Sequence, residues 1–155
     1  MPQADTTLAR LTTLGSAAEP LRADGDAHGI DFVRRLFEEW ESGANRFDRP
    51  GEIALGAWRD DRLVALGGLN RDPYTAEDGV GRLRHVYVLS SHRRLGVGAL
   101  LVGCLLREAA SRFRIVRMRA VSPEAAAFYR HLGFMDCAEP FATHRIVVGH
   151  RSVSI

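Results

Sequence analysis

The chain has 155 residues, with 21 basic side chains, 19 acidic ones and a formal net charge of +2. All 21 basic residues are Arg, and Lys is absent. That excludes Schiff-base chemistry on a lysine amine and the lysine-dependent phosphate loop of nucleotide hydrolases. An apolar fraction of 46% and a charged fraction of 26% are those of an ordinary folded protein of one domain, here residues 1–155.

Cys104 and Cys137 lack metal-type spacing, so neither a metal site nor a disulfide framework is expected. No apolar run is long enough for a membrane span, and Met1–Arg10 has no leader pattern. The expected location is the cytoplasm, without membrane or nucleic-acid partners.

In chain order, Thr6–Leu14 reads weakly as a strand. Ile30–Trp40 places Ile30, Val33, Leu36, Phe37 and Trp40 at helical spacing and stops near Gly43. Glu52–Arg59 and Leu63–Leu69 read as strands joined at Asp60-Asp61. The polar stretch Asn70–Gly81 reads as a loop, and Arg82–Leu89 as a strand rich in branched and aromatic residues. A helix with one apolar face begins near Val97. Arg114–Val121 is a further strand. Ser122-Pro123-Glu124 opens a helix with an N-cap, a proline at the first position and an acid against the dipole; Gly133 ends it. Phe134–Cys137 and Ala142–Val148 complete a mixed α/β chain.

The segment Arg93-Arg94-Leu95-Gly96-Val97-Gly98-Ala99 carries the clearest chemistry. Two closely spaced glycines let backbone N–H groups approach an anion, and a helix start adds unpaired N–H groups and a positive dipole end. A dinucleotide-binding fingerprint would need a third glycine where Leu101 stands.

The pattern Arg-x-x-Gly-x-Gly after a strand resembles the acetyl-CoA signature of the GNAT superfamily of N-acetyltransferases. Val86-Tyr87-Val88 looks like that family's fourth strand, and Ala127-Phe128-Tyr129 followed by Gly133-Phe134 like its second motif. The resemblance implies a three-layer fold whose central, mostly antiparallel sheet splays between its fourth and fifth strands. It further implies acetyl-CoA as co-substrate, with pantetheine beside Val86 and Val88 and the diphosphate on Arg93, Arg94, Leu95, Gly96, Val97, Gly98 and Ala99. Ser122, Phe128 and Tyr129 join this set. The acceptor would be a primary amine of a small molecule or peptide, and pairing of two copies through the C-terminal strands is a family habit.

By the same resemblance Tyr129 is the acid for the departing thiolate. The base is less legible. Strand alternation puts Arg82, Arg84, Val86 and Val88 on one face and Leu83, His85 and Tyr87 on the other, unless a bulge re-aims His85. His85 is then the candidate base or a structural histidine, with Asp72, Glu77 or Asp78 acting through water as alternatives. Arg84 and Tyr74 are the candidate acceptor-binding residues, Arg84 for a carboxylate or phosphate or else paired with a surface acid. Glu38, Glu39 and Glu41 read as a solvated helix face. A non-catalytic acyl-CoA-binding module and an RNA-binding strand at Arg114–Arg119 are the rival readings.

Overall fold

The computed structural model describes residues 5–149. Within them one seven-stranded sheet has the order β1-β2-β3-β4-β5-β7-β6. Its strands are β1 (Thr7–Arg10), β2 (Ile53–Arg59), β3 (Arg62–Arg71), β4 (Val80–Val88), β5 (Ile115–Met118), β6 (Met135–Glu139) and β7 (Ala142–Val147). The helices are α1 (Glu19–Ala27), α2 (Phe32–Ser42), α3 (Val97–Ala110) and α4 (Pro123–His131). Only β4 and β5 run parallel, and every other pair is antiparallel.

Local chemistry accounts for several boundaries. Asp60 and Asp61 both take positive φ, 52° and 63°, as a two-residue loop matched to strand twist requires. Gly43 closes α2 in the left-handed region. Ser122 accepts a hydrogen bond from Ala125 N at 3.1 Å, so the expected N-cap of α4 is formed.

Two cores sandwich the sheet. Leu55, Val64, Leu69 and Leu83 pack with Val97, Leu101 and Leu105 of α3 and Tyr129 of α4. On the other face Leu63, Leu66 and Tyr87 meet Leu21 of α1 and Val33 and Leu36 of α2. The layers are therefore α1 and α2, the sheet, then α3 and α4.

Three expectations need correction. The first strand spans only Thr7–Arg10, and the following chain forms a helix, α1, that the sequence did not announce. Its apolar face amounts to Leu21 and Gly25, too little for a periodic pattern. The loop after β3 is shorter than Asn70–Gly81, because β3 runs to Arg71 and β4 begins at Val80. The strand expected over Arg114–Val121 shrinks to Ile115–Met118, since β5 leaves its neighbour beyond that point.

Candidate active site

The site begins with a break in pairing. β4 and β5 share only the register Val80↔Ile115, Gly81↔Val116 and Arg82↔Arg117, and then separate. Beyond Arg82 the edge of β4 that faces β5 has lost its ladder partner, so its backbone groups are open to another partner. A cavity of about 240 Å³ fills the space, lined on one wall by Arg82 to Val86 and on the other by Met118 to Val121, with Tyr129 and Ala125 of α4 alongside.

A bulge decides what faces this cavity. Leu66 pairs with Tyr87 and Gly68 with Arg84, so Gly67 opposes both His85 and Val86. His85 takes the extra position at φ 60°. Gly68 makes room nearby, since a Cβ there would stand 2.3 Å from Phe47. The bulge overturns the simple alternation. Arg84 and His85 both face α2, as their approaches to Glu39 show. Leu83, Val86 and Val88 pack instead with the α3 core, and Tyr87 with the α1/α2 core.

His85 is buried, at 8% exposure. Its Nδ1 lies 2.9 Å from the Phe32 carbonyl, which fits an N–H donated there and leaves Nε2 as an acceptor. Burial, reinforced by Arg84 and Arg35 and only partly countered by the Phe32 carbonyl, pushes the imidazole down to about 3. A group that resists protonation this strongly is a weak sink for an amine proton. Its Nε2 and Glu39 Oε1 are both buried without a hydrogen-bond partner and stand 4.0 Å apart. Two acceptors at that separation suit one bridging water that donates to both.

The depressed pKa has a stability consequence. The unfolded chain takes up the His85 proton near 6.5 and the fold does not until about 3. Stability from this group is therefore present above 6.5 and lost as pH falls through that window, at roughly 1.4 kcal/mol per pH unit for one proton. His85→Asn should remove about one proton from the pH slope of urea-unfolding free energy between pH 6 and 4. An unchanged slope would show that His85 titrates normally.

The other candidates for the base lie elsewhere. Asp72 is fully buried, with Arg117 Nε at 2.8 Å and Arg82 Nη1 at 3.5 Å. Glu77 pairs with Arg114 and Asp78 with Arg71, both at exposed positions outside the cavity lining. Glu39, expected on a solvated face, is instead half-buried against Arg84 at 3.8 Å and His85.

Tyr129 is buried at 6% exposure and its ring packs edge-on against Phe128 and Phe134. Burial alone raises its hydroxyl well above the ordinary tyrosine value. Tyr74 stacks on Phe141 at 4.5 Å and covers the Arg82 guanidinium, 4.7 Å from its ring centre. Asp72 Oδ1 accepts from Tyr74 N at 2.8 Å, which fixes this aromatic wall in place.

The candidate anion loop follows β4 and opens α3. Arg94 and Gly96 both take positive φ, 63° and 82°. Leu100 N is bonded to Gly96 O, so the N–H groups of Val97, Gly98 and Ala99 before it have no helical acceptor. Gly98 keeps the approach open, because a Cβ would sit 3.3 Å from Phe128 and 3.4 Å from Val88. Leu95 is half-exposed, while Val97 points into the core and offers the loop only its backbone. Arg93 differs from expectation. Its Nε donates to the Val88 carbonyl at 3.1 Å and its guanidinium lies over Tyr87, so it braces the loop and occupies a backbone group of β4. These donors and the open edge of β4 fit an elongated ligand with a diphosphate at one end, as acetyl-CoA is.

Asp24 of α1 was not legible in the sequence. Its carboxylate accepts from the Tyr87 hydroxyl at 2.6 Å, Ser90 N at 3.0 Å and Ser90 Oγ at 2.8 Å. Burial acts to raise its pKa, but these hydrogen bonds outweigh it and hold the carboxyl below its usual range. Asp24 thus ties the end of β4 to the start of the anion loop. Arg119, read earlier as part of a basic strand, lines the cavity instead. Arg117 of that strand is buried, and Arg114 pairs with Glu77.

Comparisons with known proteins give the family and agree with the fold. The model of the acetyltransferase (GNAT) family matches residues 18–134, and the chain belongs to that family. It is an acetyltransferase by family, and acetyl-CoA is the family's co-substrate. No curated protein matches the sequence. Among solved structures, one from Exiguobacterium sp. 255-15, described as an acetyltransferase, is 28% identical with a TM-score of 0.82, over 92% of this chain and 93% of that one. A GNAT-family protein from Desulfovibrio desulfuricans shares the fold at 17% identity and a TM-score of 0.72, over 93% and 99% of the two chains. The ribosomal-protein-S18-alanine N-acetyltransferase of Escherichia coli does so at 14% and 0.70, over 97% and 99%. No helix among the described residues is long and apolar enough to cross a membrane.

Proposed function

We propose that residues 1–155 act as one cytoplasmic N-acetyltransferase domain that moves an acetyl group from acetyl-CoA directly to a primary amine of a small molecule or peptide. The observation that carries this reading is the cavity where β4 and β5 part, with Tyr129 in its lining, and the unpaired N–H groups that open α3 just after β4, where Gly98 packs against Val88 and Phe128. Acetyl-CoA supplies an acetyl group activated as a thioester. Val97, Gly98 and Ala99 donate backbone N–H groups to its diphosphate, Arg94 adds charge, and the open edge of β4 at Val86 holds its arm.

Tyr129 hydrogen-bonds the departing sulfur and gives it a proton, and takes in return the proton that the attacking nitrogen sheds as the tetrahedral intermediate collapses. His85 Nε2 and Glu39 Oε1 hold a water between them, and that water carries the amine proton out of the cavity. Ser122 and Phe128 shape the α4 side, and Tyr74 and Arg84 face the acceptor. One structural relative is an N-acetyltransferase of alanine in ribosomal protein S18.

The test is thiol release by the purified protein, with acetyl-CoA and a panel of amines, beside a direct measurement of acetyl-CoA binding. Amine-dependent release supports the enzyme. Binding without release under every amine supports the acyl-CoA-binding module, which the weak basicity of His85 favours. Absence of binding removes both readings.

A further inference from the structure

The cavity between β4 and β5 carries a charge arrangement that acetyl transfer alone does not require. Arg35, Arg82, Arg84 and Arg119 line it, and no carboxylate does. The nearby acids sit outside the lining. Asp72 lies against Arg82 and is shared with Arg117. Glu39 is 3.8 Å from Arg84, and Asp31 is 3.5 Å from Arg35. Arg119 has no ion-pair partner among the described residues. Arg84 belongs to β4 and Arg119 follows β5, so each of the two strands that separate brings an arginine to the lining of one space.

Such a lining has chemical consequences. An ammonium group with no anion of its own would enter against like charge, with only the recessed acids to offset it. A carboxylate or phosphate would meet planar forks that bind it through paired hydrogen bonds. The depressed pKa of His85 on the same wall reflects that field, since Arg84 and Arg35 both act to keep it neutral after burial has done most. A volume of about 240 Å³ suits the head of a small molecule.

We propose that the acceptor is an amine carrying its own carboxylate or phosphate, seated between Arg84 and Arg119 with the amine toward Tyr129. This inference rests on the N-acetyltransferase reading and specifies its substrate class. Polyamines and lysine side chains in basic segments are then poor acceptors.

Matched probes test it with the full chain at saturating acetyl-CoA. Phenylalanine and glutamate are compared with their amides, phosphoethanolamine with ethanolamine, and spermidine serves as the cation. The anionic member of each turned-over pair should have the higher kcat/KM, by about tenfold or more. Arg84→Gln and Arg119→Gln should each lose a comparable factor, mainly through KM, and bring the paired ratio toward one while acetyl-CoA affinity holds. The amino acids and phosphoethanolamine tell carboxylate from phosphate. Should Arg84→Gln unfold, the exposed Arg119→Gln still decides.

Equal or better use of amides or spermidine would overturn the proposal. So would a failure of every anionic probe both to react and to compete at millimolar concentration. Loss of acetyl-CoA binding in the unmodified protein would instead strike the acetyltransferase reading itself.

Discussion

Tyr129→Phe should lower kcat by about a hundredfold or more, with acetyl-CoA affinity and thermal stability essentially unchanged. The hydroxyl makes no hydrogen bond among the described residues, so its removal leaves no protein partner unsatisfied. The ring keeps its packing against Phe128 and Phe134, and Phe fills the same volume. What is lost is a proton held close to the reacting sulfur. Burial keeps the phenol protonated at every working pH, and the same dry surroundings would raise a thiolate formed beside it. In the proposed reaction the hydroxyl stabilises the leaving group most as its charge develops, which lowers the barrier without tightening ground-state binding. Stopped-flow thiol release and equilibrium binding of acetyl-CoA check the two halves separately. An unchanged kcat would remove Tyr129 from the reaction.

The largest expected loss of stability comes from Asp72→Asn, at about 3–5 kcal/mol in urea unfolding. Asp72 is inaccessible, and the arginines on it, Arg82 and Arg117, are 8% and 9% exposed. Removing the one carboxylate leaves Arg82 without its ion-pair partner and Arg117 with only Glu139, at 3.0 Å. One Arg117 nitrogen already has no hydrogen-bond partner, so this cluster has little compensation to spare. A loss of that size is a large share of the ~5–15 kcal/mol that holds an ordinary domain together. Replacing Asp72 and Arg117 together by apolar residues of similar size should recover part of it, because the cost lies in unmatched buried charge. A change below about 1 kcal/mol in Asp72→Asn would place the cluster in water, as a surface pair.

Asp72 also illustrates what a linear reading cannot reach. It stood in a polar stretch with Asp78 and Glu77, and all three had equal claims as a base carried on a loop. Only Asp72 is buried, because β3 runs on to Arg71 and β5 and β7 bring Arg117 beside it. Glu39 shows the opposite error. Its neighbours Glu38 and Glu41 suggested a solvated face, yet the path of α2 across β4 sets it against Arg84 and His85.

Elements whose causes are local were legible from the residues themselves. The Asp60-Asp61 turn, the Ser122 cap, the stops at Gly43 and Gly133, and the glycine-spaced turn into α3 depend on chain stereochemistry over a few positions. The absence of Lys belongs with them, since it leaves anion binding to Arg and backbone N–H groups. Tertiary structure decided the rest. The bulge at His85 exists because Gly67 and Gly68 of the neighbouring strand admit it and Phe47 packs beside them. Asp24 reaches Tyr87 and Ser90 across more than sixty residues of chain. The arginine lining is assembled from α2, β4 and the chain after β5. Burial and Coulomb interactions depend on distance in space, and residues far apart in sequence set those distances only once the sheet has closed around them.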